Sequence, residues 1–126
     1  MLIMSPEHEH AKMVEMTGRE FQTLAVSFAG TTVAAHFDRT AFKAKRIFAT
    51  LAADGRSANL LLTPEEQGHY AGLQPGVFCR VPNKWGDQGW TTVTLAEADV
   101  RLLRTALESA WRAAHPLPKP RSARKR

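Results

Sequence analysis

Cationic side chains cluster in the first half of the chain, where Arg39, Lys43, Lys45 and Arg46 fall within a short stretch. Lys43 and Lys45 alternate along a predicted strand, so the sequence places both on one face of it. There their ammonium groups can neutralise adjacent phosphates. The alternative is a charged outer face or edge strand that discourages pairing between sheets. Residues 1–115 carry no net charge, which favours this alternative, because a neutral domain exerts little long-range attraction on a polyanion.

A second cluster combines cations with indole rings. Arg80, Lys84 and Trp85 precede Trp90 in a stretch rich in turn-forming residues. An exposed indole can stack on an unpaired base, and an arginine can add a cation–π contact. Trp90 opens a predicted strand and is assigned to the core, whereas Trp85 lies beside Gly86 and is the better candidate for exposure. An exposed Trp85 is equally consistent with a surface for a protein partner.

The net charge of +5 is concentrated at the C-terminus. Residues 1–115 hold twelve Lys and Arg against twelve Asp and Glu, so they are neutral together. The remaining cations are Lys119, Arg121, Arg124, Lys125 and Arg126. Such a tail is predicted to be a disordered, solubilising end. The alternative is weak electrostatic contact with nucleic acid or another polyanion.

Catalytic and metal-binding patterns are not recognisable in the sequence. Cys79 is the single cysteine, which excludes an intramolecular disulfide and a cysteine zinc site. No base can be assigned to Cys79, and His8 and His10 lack a third ligand. His36 and His69 are isolated and are predicted to be structural. We therefore expect a non-enzymatic protein with no metal and no cofactor.

Local signals predict helices and strands in a defined order. The patterns Thr17–Glu20 and Thr63–Glu66 are capping boxes that start helices. Asp54-Gly55 predicts a two-residue type I′ hairpin turn. Strands are predicted over 31–37, 40–45, 46–52, 57–62, 77–81 and 89–95, and a long last helix over 96–114.

Apolar positions within these elements predict what faces the core. Val33, Ala35 and Phe37 alternate along the first strand and are expected to face inward, as are Tyr70 and Leu73 of the short helix. The expected fold class is α+β, an antiparallel sheet packed on one face by N- and C-terminal helices. One domain is expected over 17–115, after a flexible or short helical segment over 1–16 and before a disordered basic tail over 116–126.

The chain carries no apolar run long enough to cross a membrane, and its N-terminus lacks the features of a signal peptide. A single cysteine fits a reducing compartment. A cytoplasmic protein without membrane contact is therefore expected.

Several segments together resemble the MmcQ/YjbR-like family of small bacterial proteins. The segments are Phe42-Lys43-Ala44-Lys45-Arg46-Ile47-Phe48-Ala49-Thr50-Leu51, Leu61-Leu62-Thr63-Pro64-Glu65-Glu66, Gly89-Trp90-Thr91-Thr92-Val93-Thr94-Leu95 and the apolar stripe Leu103, Leu107 and Trp111. The resemblance implies a frataxin-like (CyaY-like) fold, an antiparallel sheet backed by two terminal helices. It also implies DNA binding in which two sheet loops act as paired wings. Leu61 and Leu62 stand where the family usually has a lysine, and Ala110-Trp111 stands where it usually has Ser-Tyr.

The resulting hypothesis is weak, largely sequence-nonspecific DNA binding without catalysis. The alternative is a protein-interaction or adaptor module that uses the sheet face and the Trp85 loop. The candidate nucleic-acid-binding residues are Arg39, Lys43, Lys45, Arg46, Arg80, Lys84, Trp85, Lys119, Arg121, Arg124, Lys125 and Arg126.

Overall fold

A computed structural model describes residues 16–114 of the chain. Residues 1–15 of the predicted N-terminal segment over 1–16 lie outside the described residues. The predicted basic tail over 116–126, with its five cations, also lies outside them. The strands are β1 Thr32–His36, β2 Arg39–Lys43, β3 Ile47–Leu51, β4 Ser57–Leu61, β5 Phe78–Arg80 and β6 Trp90–Thr94. The helices are α1 Gly18–Val26, α2 Pro64–Leu73, α3 Lys84–Asp87 and α4 Val100–Ala113.

The strands form one antiparallel sheet in the order β1-β2-β3-β4-β6-β5. Helices α1 and α4 pack on β3, and α2 packs on β5. Their apolar side chains form one core with the covered face of the sheet. Its largest fully buried members are Phe21, Phe42, Phe48, Phe78, Leu60, Leu95, Leu103 and Leu107. The α+β class with helices on one face is therefore confirmed.

Both predicted capping boxes are present. The Thr17 hydroxyl oxygen accepts from the Glu20 amide at 3.1 Å, and the Thr63 hydroxyl oxygen accepts from the Glu66 amide at 3.0 Å. The predicted start of the last helix is wrong, because Leu95–Glu97 forms a separate 3₁₀ turn. Asp99 caps α4 instead, since its carboxylate accepts from the amides of the helix's second and third residues.

The turn between β3 and β4 is longer than the predicted type I′ turn. The amide of Ala52 donates to the carbonyl of Ser57 at 3.0 Å, which leaves four residues in the loop. Gly55 has a φ of 71°, whereas Asp54 does not adopt a positive φ. The Asp54 carboxylate instead accepts from the amide of Arg56 at 2.9 Å. The aspartate therefore stabilises the loop through its side chain rather than through a left-handed backbone.

The expected inward face of β1 is wrong. All five residues of β1 are exposed, and Val33 is 43% exposed. Within the described residues β1 is an edge strand that pairs with β2, so it does not form part of the helix-covered core. Phe37 lies in the β1–β2 turn with a φ of 60° and is 92% exposed.

The expected pairing of Lys43 and Lys45 on one strand face is also wrong. Strand β2 ends at Lys43, and the register with β3 shifts between Phe42 and Lys43. The amide of Ala44 donates to the carbonyl of Arg46 at 3.1 Å and closes a tight turn. Lys45 lies in this turn, where the two-residue alternation of a strand no longer applies.

The two residues of α2 that were predicted to face inward differ in how far they are buried. Tyr70 is buried and its ring stacks on Phe78, with centroids 5.3 Å apart. Leu73, at the end of the helix, is 50% exposed, so its prediction is wrong. Within residues 16–114, none of the helices has both the length and the apolar character needed to cross a bilayer.

Tyr70 makes stability depend on pH in the alkaline range. Burial raises the pKa of Tyr70, and the nearby Glu66 carboxylate raises it further. Because the folded pKa lies above the unfolded value of about 10, the stabilisation is complete below pH 10 and is lost as the pH rises towards the folded pKa. We expect the free energy of unfolding from urea titrations to fall above about pH 10, and to fall less in Tyr70→Phe. Equal slopes in the two proteins would contradict this assignment.

Candidate binding site on the open face of the sheet

The sheet face opposite the helices carries polar side chains. One row of side chains runs across this face, because its members are successive cross-strand partners. The row is Ala41, Thr50, Asn59, Thr92 and Cys79. The Thr92 hydroxyl donates to Asn59 Oδ1 at 2.8 Å. The side-chain amide nitrogen of Asn59 remains as a donor on this face.

A cavity of about 320 Å³ lies on this face, and we call it the open-face pocket. Residues of the β1–β2 hairpin, the central strands and the turn around α3 line it. They are His36, Arg39, Thr50, Asn59, Val81, Asn83, Trp85 and Trp90. None of the eight is acidic, so Arg39 gives the lining a net positive charge.

Arg39 is the fixed cation of the open-face pocket. Its Nε donates to the hydroxyl oxygen of Thr50 at 2.8 Å. Its Nη2 is buried and makes no hydrogen bond within residues 16–114. No carboxylate of these residues lies within ion-pair distance of the guanidinium either. Arg39, one of the predicted nucleic-acid-binding residues, thus lines a pocket and has a terminal nitrogen without a hydrogen-bond partner among the described residues.

Trp85 is held at the rim of the open-face pocket by its own turn. The Asn83 side chain caps α3, accepting from the Trp85 amide at 2.8 Å. The Trp85 side chain is 57% exposed. Behind the turn, the buried amide of Gln67 donates to the carbonyl of Gly86 at 3.2 Å and to the carbonyl of Trp90 at 2.9 Å. The Trp85 indole therefore extends from a turn that the Gln67 side chain connects to α2 by hydrogen bonds.

The prediction that Trp90 belongs to the core is wrong. Trp90 is partly exposed and lines the open-face pocket. Its register partner is Leu61 in β4. Both alternate with the buried pair of Leu60 and Thr91, so they point to the uncovered face.

The cations near Trp85 differ in their surroundings. Arg80 forms an ion pair with Asp87, which compensates its charge. Lys84 opens α3 and is exposed. The thiol of Cys79, in the neighbouring strand, is exposed rather than buried. Among residues 16–114, no three His, Cys, Asp or Glu side chains come together as metal ligands.

A separate basic turn is formed by Lys43, Lys45 and Arg46 between β2 and β3, and all three are exposed. Arg46 also donates to the carbonyl of Ala113 at the end of α4, at 3.3 Å. Strands β2 and β5 are separated by three strands, or roughly 19 Å at the usual strand spacing. The basic turn and Arg80 therefore do not converge on one strand pair.

Six lining residues were not predicted as site residues: His36, Thr50, Asn59, Val81, Asn83 and Trp90. Four of them, His36, Thr50, Asn59 and Trp90, come from four different strands, so local spacing does not connect them. One usable signal was present, because Thr50 and Asn59 are polar residues that interrupt strands of buried apolar residues. Polar residues at such positions mark the uncovered face of a sheet.

A family model described as YjbR matches residues 26–113. The chain belongs to the YjbR family. The resemblance to that family noted in the sequence is thereby confirmed. The match covers all six strands and all of α4, and so includes every residue that lines the open-face pocket. No curated protein matches the sequence.

Two solved structures share the fold of this YjbR-family chain. The Deinococcus radiodurans protein DR2400, whose domain is described as DUF419, aligns with a TM-score of 0.71 at 17% identity, covering 88% of this chain and 87% of that one. A protein from Pseudomonas syringae aligns with a TM-score of 0.61 at 16% identity, covering 79% of this chain and 99% of that one. At these identities the likeness concerns the fold.

Proposed function

We propose that this YjbR-family protein is a non-enzymatic, cytoplasmic binding protein that holds unpaired DNA on the open face of its sheet. The observation that supports the proposal is an arginine without a carboxylate partner, set beside exposed aromatic side chains on the uncovered face. Unpaired bases stack on aromatic rings, and cations beside the rings take the phosphates.

Two aromatic residues extend from the loops that flank the open-face pocket. Phe37 occupies the β1–β2 turn next to His36, and Trp85 occupies the α3 turn. The positive φ of Phe37 costs about 1–3 kcal/mol for a bulky side chain, yet its ring is 92% exposed. A strained backbone that presents an apolar ring to solvent supports a role in contact with a ligand. These two loops also fit the paired wings that the family resemblance implies.

The electrostatics support weak binding with little sequence preference. Residues 16–114 contain eleven Lys and Arg and nine Asp and Glu, so their net charge is small. The contributing cations on the described surface are Arg39, Lys84 and the basic turn of Lys43, Lys45 and Arg46. Phosphate contacts by about three of these five cations correspond to a slope of roughly −2 for log K against log salt with single strands.

Trp85→Ala tests the proposal directly. We expect the affinity for a fluorescein-labelled oligothymidine, measured by anisotropy at low salt, to fall about 5- to 100-fold, because one base loses its stacking partner. Leu73→Ala is the matched control, since Leu73 is also about half exposed but lies on α2. An affinity that does not change with salt concentration, or an equal loss of affinity in both variants, would contradict the proposal. A duplex of the same length should bind more weakly than the single strand, because its bases are not free to stack.

A second candidate function is protein interaction through β1. All five residues of this edge strand are exposed, so its outer backbone groups can pair with a strand of a partner. Deleting residues 116–126 separates the two functions, because it removes five cations without touching β1. A protein partner that stays bound while DNA affinity disappears would favour this second function.

A further inference from the structure

We propose that the open-face pocket is a binding site for a phosphate monoester attached to a flat ring, the chemistry of a nucleoside monophosphate. This inference rests on the proposed function of the same face and names the group that the pocket takes. Two sources carry this chemistry: a free mononucleotide and the phosphorylated end of a strand.

The anion is specified by Arg39. Its Nε is engaged with Thr50, which fixes the plane of the guanidinium, while Nη2 is buried without a partner among the described residues. A buried, charged donor that lacks an acceptor is unfavourable. An oxyanion satisfies it, and the two terminal nitrogens of an arginine bind two oxygens of one phosphate side by side.

The flat ring of the ligand is inferred from the aromatic side chains that line the pocket. Trp85 and Trp90 provide indole surfaces, and His36 provides a third flat side chain. The volume of about 320 Å³ is at the lower end for small-molecule pockets. It therefore suits one base with its phosphate rather than a run of nucleotides.

A terminal phosphate fits this pocket better than an internal one. A phosphate monoester carries a charge of about −1.5 to −2 at pH 7 and three acceptor oxygens, whereas a diester within a strand carries one charge. The donors available are the terminal nitrogens of Arg39 and the amide nitrogen of Asn59, whose oxygen is already used by Thr92. No acidic residue lines the pocket to oppose the charge.

The experiment is a titration of the full chain with thymidine 5′-monophosphate, followed by isothermal calorimetry and tryptophan fluorescence. Thymidine supplies the ring without phosphate, and inorganic phosphate supplies the anion without the ring. We expect the monophosphate to bind about tenfold or more tightly than either. Equal binding of inorganic phosphate would overturn the proposal, because the walls would then contribute nothing.

Arg39→Met is expected to weaken thymidine 5′-monophosphate binding about 10- to 100-fold, because it removes a charge-assisted hydrogen-bond pair. Arg104→Met is the matched control, since Arg104 is exposed on α4 outside the pocket. Asn59→Asp is a second variant, which keeps the side-chain size and places a carboxylate in the pocket. It should weaken binding similarly. Circular dichroism verifies that each variant is folded, and undiminished binding in a folded Asn59→Asp would overturn the proposal.

Oligothymidines with and without a 5′-phosphate distinguish the two sources. Tighter binding of the phosphorylated strand, lost in Arg39→Met, supports the strand end. Binding of the mononucleotide with no preference between the strands supports a free nucleotide. Strand binding that depends on Trp85, with no monophosphate binding, overturns this proposal and leaves the proposed function intact. Monophosphate binding without any strand binding supports this proposal and overturns the proposed function.

Discussion

The Gly89→Ala variant is expected to lose on the order of 3–5 kcal/mol of unfolding free energy, or to fail to fold. Gly89 is buried and has a φ of 112°, a conformation that L-residues rarely adopt. A Cβ at this position would overlap the backbone carbonyl oxygen of Leu62. The same two residues are joined by a hydrogen bond from the Leu62 amide to the Gly89 carbonyl at 3.1 Å. The overlap cannot be relieved by a side-chain movement, so the backbone between β4 and β6 must shift.

Urea denaturation followed by circular dichroism measures this loss. Gly68→Ala is the matched control, because Gly68 lies inside α2 and a Cβ there meets no atom within 4 Å. Its helix propensity should rise, so stability should increase by up to about 1 kcal/mol. A Gly89→Ala protein as stable as the wild type would show that the close approach of Gly89 to Leu62 is not required.

The Gln67→Leu variant is expected to lose about 2–3 kcal/mol of unfolding free energy and to weaken ligand binding. Gln67 is 8% exposed, and its side-chain amide serves the carbonyls of Gly86 and Trp90 and the hydroxyl of Thr91. Leucine has a similar size but no donor, so the carbonyls of Gly86 and Trp90 lose this hydrogen bond and keep only those from the backbone amides of Gly89 and Val81. Because Gly86 belongs to the Trp85 turn, the turn loses its anchor to α2.

The expected readouts are a lower urea midpoint and a lower affinity for oligothymidine. Gln22→Leu is the control, since Gln22 is exposed on α1 and surface substitutions usually change stability by less than 0.5 kcal/mol. If Gln67→Leu loses stability but binds oligothymidine like the wild type, the anchoring of the Trp85 turn has no role in binding.

The parts of the fold that sequence predicts here are local. The capping box from Thr63 to Glu66 depends on residues three apart, so its geometry follows from the sequence alone. The apolar run Leu60-Leu61-Leu62 in the sequence predicts a central position for its strand, and β4 does lie between β3 and β6. In contrast, the exposure of β1 depends on how far the helices extend across the sheet, and alternation cannot reveal that.

The candidate site was predicted only in part for the same reason. Arg39 and Trp85 were singled out by type, but the pocket also needs Thr50, Asn59 and Trp90, which only the order of the strands brings near them. The strand alternation of Lys43 and Lys45 failed because a tight turn replaces the end of β2. The turn depends on a backbone hydrogen bond that no side-chain pattern announces.

A titration of ¹⁵N-labelled protein with oligothymidine, followed by NMR, shows which face of the sheet binds the ligand. We expect shifts of the indole signals of Trp85 and Trp90 and of backbone amides in the β1–β2 turn and in residues 83–90. Amides on the outer face of α4, such as those of Arg101 and Arg104, should not move. Shifts confined to the helices or to the chain ends, with both indole signals unchanged, would contradict a ligand surface on the open face of the sheet.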